Sequence, residues 1–201
     1  ALIALAFQYG LQARYKEGLA LCDSAELLYA NSGNANSQAS VLATKAQQYM
    51  GMGQYEQTFL YYLKADSIYT AEHNDWERAT VALNVGVAHT SQGDSRKSIA
   101  SFKEALHIRP YKQLDESNII AYANIAECYL LMQQYDSALA ILDTLYPIVS
   151  AAGFDRIGSG LAINMAQCYI AKGFTAKSRP LLDQSLRIAQ RIAMPDREAE
   201  A

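Results

Sequence analysis

Long apolar runs are missing from this chain. None of its 201 residues belongs to a stretch approaching the ~18 apolar residues that a membrane-spanning helix needs, so no segment here inserts as such a helix. Glycine and proline are scarce, at 11 and 4, which suits an all-helical chain and argues against disorder or a many-turned β fold. Lysine and arginine occur singly or in pairs. A nucleic-acid surface needs clustered positive charge against phosphates, so direct nucleic-acid binding is not expected. There are three cysteines and no C-x-x-C pair. Cys128 and Cys168 hold equivalent places one period apart, and equivalent positions on neighbouring helices are ~8–10 Å apart, too far for a disulfide. They read as small packed thiols, which favours a reducing, cytoplasmic compartment; a periplasmic one stays open if a signal peptide has been removed.

Reaction chemistry is equally sparse. His73, His89 and His107 do not have metal-ligand spacing, and no H-E-x-x-H or clustered carboxylates accompany them. Gly51-Met-Gly53 opens like a phosphate loop, but Glu56 stands where the third glycine belongs and a helix, not a strand, precedes it. No nucleophile elbow or paired-carboxylate site is present. The expectation is a non-enzymatic chain with neither metal nor cofactor.

What the chain does have is a 51% hydrophobic composition, a net charge of −3 and a repeat. Residues 79–110, ATVALNVGVAHTSQGDSRKSIASFKEALHIRP, predict two amphipathic helices joined by the turn Gly93-Asp94-Ser95. Steps of 40 residues from Gly93 land on Ala13, Gly53, Gln133 and Gly173. A small column runs Ala6, Ala46, Gly86, Ala126, Ala166, and three residues later an aromatic one runs Tyr9, Tyr49, His89, Tyr129, Tyr169. The second helices carry a large column, Cys22, Tyr62, Phe102, Leu142, Leu182. One such unit cannot bury its own apolar face, so the copies must stack into an all-α helical solenoid. Helices are expected over 1–12 and 15–29, 35–52 and 55–69, 75–92 and 95–108, 115–132 and 135–149, and 155–172 and 175–192. Pro110 should stop one second helix, Pro147 should kink or end another, and Pro180 falls near a first turn where it costs little. The apolar start at Ala1 and the helix-like residues 195–201 suggest a piece of a longer protein.

Asn84-Val85-Gly86, Gly93, Ser98, Phe102, Ala105 and Pro110 resemble a tetratricopeptide repeat (TPR), although the repeat's usual tryptophan is Ala82 here and its usual tyrosine is His89. The resemblance implies a right-handed superhelix (an α-α superhelix) of five helix-turn-helix units, a single array over 1–201 with repeats near 1–34, 35–74, 75–114, 115–154 and 155–194. The 40-residue period exceeds the usual ~34 and is similar to that of TPR arrays in bacterial signalling proteins.

The same resemblance implies that first helices line a concave peptide groove. The outward position two residues before each small one reads Ala4, Thr44, Asn84, Asn124, Asn164, a ladder of three amides that can each donate to and accept from an extended backbone. Leu83, Val87, Gln47, Glu127, Ile163 and Gln167 complete the expected groove, with Ile3, Phe7, Ala43 and Ala123 in the same columns. The lysines and arginines of carboxylate-clamp TPRs are absent from it, so a C-terminal carboxylate is a poor ligand, while Glu127 favours a basic residue. Three functions follow. The first is a protein-interaction module that binds a peptide or partner segment; the second is a ligand-sensing regulatory domain fused to an output domain such as a histidine kinase or transcription regulator; the third is a self-association scaffold.

Overall fold

The computed structural model describes residues 1–30, 32–109 and 115–193. Asn31, Pro110 with its expected helix stop, and the expected further helix at 195–201 lie outside them. Ten helices are found among the described residues: α1 (Leu2–Leu11), α2 (Tyr15–Tyr29), α3 (Ala35–Gly51), α4 (Tyr55–Ala71), α5 (Asp75–Ser91), α6 (Ser95–Ile108), α7 (Glu116–Leu131), α8 (Tyr135–Ala151), α9 (Asp155–Ala171) and α10 (Thr175–Ala193). Their ends fall within a residue or two of expectation.

The repeated turn explains that agreement. After each first helix, the N–H of the residue opening the next pair-mate bonds back to the aromatic-column carbonyl: Arg14 to Tyr9, Gln54 to Tyr49, Asp94 to His89, Gln134 to Tyr129 and Phe174 to Tyr169, at 2.7–2.9 Å. This is the 6→1 closure of a Schellman turn, which needs a left-handed residue just after the helix. Gly53, Gly93 and Gly173 supply it with φ of 72–80°, and Ala13 and Gln133 adopt the same conformation at 58° and 59°. A second left-handed column joins successive repeats, Gly33, His73 and Gly153, also in 40-residue register. His73 was legible only as a loop residue. Side chains then cap several starts: Asn34 accepts from the Ser37 N–H, Asp94 from Lys97 and Asp115 from Asn118, at 2.9–3.1 Å.

Proline is gentler on this fold than expected. α8 does not end at Pro147 but runs through it to Ala151. Leu142 and Leu145 before it and Val149 after it are all buried, so tertiary packing holds the helix across the lost backbone bond.

The chain forms two compact units, residues 1–110 and 111–201. In the first, α1 packs on α2 and α3, α3 on α4, α4 on α5 and α5 on α6; in the second, α7 packs on α8 and α9, α8 on α9 and α9 on α10. The small column is buried in all five repeats. Its partner across the helix pair is the large column: Cys22, Tyr62, Phe102 and Leu142 are fully buried. The fit is close, since a Cβ on Gly86 would come within 2.5 Å of the Phe102 ring. Leu182 breaks the pattern at 41% exposure. The three cysteines are buried and form no disulfide among the described residues, and burial pushes the Cys22 thiol up to about 11.

Candidate functional site

The first helices carry the residues expected to meet a ligand, and each unit treats them differently. In the 1–110 unit, Thr44 is a correction. It does not look outward but is buried, with its hydroxyl donating to the Ser40 carbonyl at 2.9 Å. A β-branched residue with a hydroxyl satisfies itself inside its own helix and packs inward. Gln47 is half-buried and lines a cavity of about 370 Å³ with Phe7 of α1 and Ser91 of α5. Three successive first helices thus contribute to one hollow. Leu83 and Asn84 are half-buried, and Val87 is exposed.

Beneath that hollow sits Gln48, 1% exposed, whose Nε2 donates to the Ala6 carbonyl at 3.1 Å. Gly10 and Gly18 make room for its amide, since a Cβ on either would come within 2.8 Å of it. A buried lysine lies one helical turn away. Lys45 Nζ is 2.7 Å from Asp23 Oδ1 and also paired with Glu26. Burial works against its charge, but the two carboxylates hold it above the ordinary lysine value.

In the second unit, Asn124 and Asn164 are half-buried on α7 and α9, two first helices packed against each other. Glu127, Ile163 and Gln167 beside them are exposed. Among the described residues, the side chains of Asn84, Asn124 and Asn164 have no hydrogen-bond partner. Their amides are neither buried in the array nor spent on it.

One feature escaped the sequence reading. A cavity of about 650 Å³ opens between α4 and α6, floored by α5. Its floor is the stripe Arg78, Val81, Ala82, Val85, His89, recurring every three or four residues. Val87, two residues beyond Val85, is ~200° further round the helix, so this cavity and the expected groove use different faces of α5. The two departures from the repeat pattern, Ala82 and His89, both line it. They were its only signal in the sequence. His89 stacks on Phe59 with ring centres 4.5 Å apart, and burial holds its pKa below the ordinary imidazole value, which favours the neutral ring. Among the described residues no group of three His, Cys, Asp or Glu could hold a metal ion, and no helix is long and apolar enough to cross a membrane.

No protein-family model matches the sequence, and no curated protein matches it. Solved structures do. A kinesin light chain-type protein of Podosopora anserina with nearly identical TPR-like repeats matches at TM-score 0.76 and 16% identity, over 97% of this chain and 95% of its own. BtubC (BKLC) from P. vanneervenii matches at TM-score 0.81 and 18% identity, over 97% and 80%. A signal-transduction ATPase with numerous domains from Pyrococcus horikoshii, which carries a tetratricopeptide repeat sensor, matches at TM-score 0.80 and 18% identity, over 94% of this chain and 30% of its own. By fold, this chain is similar to the TPR-like helical repeat proteins.

Proposed function

We propose that the chain is a non-enzymatic interaction module that takes an extended peptide or partner segment along its first helices, with residues 1–201 forming one array. The observation that carries this is the set of asparagine amides without partners at 84, 124 and 164. Polar groups on a folded surface with no internal bond, repeated at the period of the array, suit a backbone ligand that repeats its own donors and acceptors. Exposed Val87 and Ile163 offer apolar contacts beside them, and Gln47, Leu83, Glu127 and Gln167 extend the surface. Thr44 has no part in it. Three buried cysteines outside any disulfide among the described residues favour a reducing compartment.

The test is a displayed library of random 12-residue peptides panned against the purified chain and against the combined Asn84→Ala, Asn124→Ala, Asn164→Ala variant. Selected peptides should bind the wild type and lose most of their affinity for the variant, with helicity and melting unchanged. Equal binding to both proteins, or no enrichment on either, sinks the reading.

A second reading, a sensor domain fused to an output domain, is suggested by the likeness to 30% of the Pyrococcus horikoshii ATPase, a protein with a tetratricopeptide repeat sensor.

A further inference from the structure

The cavity between α4 and α6 is a site of another kind. Its volume of about 650 Å³ lies within the ~300–1,000 Å³ typical of small-molecule pockets. It exists because small residues face one another: Ala82 in the floor, Ala100 and Ser101 in the α6 wall. Phe59 and Leu63 from α4, Val81 and Val85 from α5 and Ile108 from α6 make the rest predominantly apolar.

Set into these apolar walls are polar atoms with nothing to bond to. Tyr62 lines the cavity, is fully buried, and its hydroxyl has no hydrogen-bond partner. His89 Nδ1 and Arg78 Nε are likewise buried and make no hydrogen bond. Leaving such a group unsatisfied costs ~1–3 kcal/mol, so three of them on residues lining one cavity mark the place where a ligand's polar head would sit. The hydroxyl can donate or accept, and a neutral imidazole nitrogen does one or the other. An uncharged head such as a hydroxyl or amide answers both.

Charge narrows the class further. Arg78 Nε lies 3.5 Å from Asp66 and its Nη1 3.2 Å from Asp75, so the charge of this cation is balanced by carboxylates although its Nε–H makes no hydrogen bond. Glu104 adds a further carboxylate. An anion would enter against a net negative surround.

We propose that the α4–α5–α6 cavity binds a small uncharged amphipathic molecule, with its aromatic or aliphatic body among Phe59, Val81, Val85 and Ile108 and a hydroxyl- or amide-type head bonded to Tyr62 Oη and His89 Nδ1. The site is independent of the first-helix groove, because it occupies another face of α5.

Methyl-resolved NMR titration of the full chain tests this with three probes of one shape: 1-naphthol, naphthalene without a polar head, and anionic 1-naphthoate. Naphthol should shift the Leu63, Val81, Val85 and Ile108 methyls saturably. Naphthalene should bind about thirtyfold more weakly, the value of two net hydrogen bonds, and naphthoate more weakly still. Ala100→Trp, at an exposed wall position, should abolish the shifts while helicity is kept. Tyr62→Phe should weaken naphthol about fivefold, the value of one net hydrogen bond, and leave naphthalene unchanged. The proposal is overturned if naphthol leaves those methyls unmoved, if naphthoate binds as well, or if both variants bind naphthol as the wild type does.

Discussion

The two units share one repeat register yet fill their interiors with different chemistry. In residues 111–201 the core is a continuous aliphatic cluster built from Ile119, Leu139, Leu142, Leu145, Val149, Leu161 and Met165. In residues 1–110 the clusters are smaller and rely on alanines with Tyr62 and Tyr69, accompanied by buried Lys45 and Gln48. Branched aliphatics adapt to one another and leave little space. Rigid rings between alanines pack at contact distance in one place and leave a hollow in another. That is why the Phe102 ring fits against Gly86 so tightly while a cavity stands open on the adjoining face of α5. The lesson is that register fixes where a side chain goes, and side-chain shape fixes whether the space closes behind it.

This contrast can be broken at its strongest point first. Leu142→Ala, in the aliphatic core of the second unit, should cost about 2–5 kcal/mol by urea unfolding. Val85→Ala, on the wall of the open cavity, should cost under ~1.5 kcal/mol because little new space is created; equal losses would mean the two interiors are equivalent. Next in size is Gly86→Ala, whose added methyl meets a fully buried ring that cannot swing away. A loss of ~1–3 kcal/mol is expected, and a neutral result would show the first unit to be plastic.

Lys45→Met should change stability by less than ~1 kcal/mol. Asp23 and Glu26 are exposed enough, at 67% and 51% of their side chains, to rehydrate once the ammonium is gone. A much larger loss would make that ion pair a structural requirement of the first unit. The smallest effect is a pH dependence. Burial depresses the His89 pKa, so as pH falls from 7.5 to 5.5 the unfolded imidazole, with pKa ~6.5, takes up a proton that the folded one resists. Stability is therefore lost on acidification. His89→Tyr, which restores the aromatic column, should flatten the melting temperature over that range relative to wild type; an unchanged pH slope would mean that other groups set it.

The helix pattern was legible because its signals are local. A left-handed turn closed by a backbone bond to the aromatic-column carbonyl marks each first-helix end, and even Ala13 and Gln133 kept phase where glycine was missing. The candidate site was legible only in part. Asn84, Asn124 and Asn164 sit half-buried without partners, and Gln47 joins Phe7 and Ser91 in one hollow. Thr44 failed because the same column position does not guarantee exposure when the side chain can satisfy itself within its own helix. Pro147 does not end α8, because buried Leu142 and Leu145 before it and Val149 after it hold the helix.

By itself, then, the sequence determined the all-helical class, the 40-residue period, the helix pairs and the columns that bury them, because each depends on residues three to forty apart along one chain. Only the tertiary structure decided which polar groups were left without partners and where space stayed open. Whether Tyr62 Oη finds an acceptor, or whether Ala82 and Ala100 are bridged by a neighbour, depends on distances between helices. A one-dimensional pattern carries no measure of those distances, and packing is settled at fractions of an ångström.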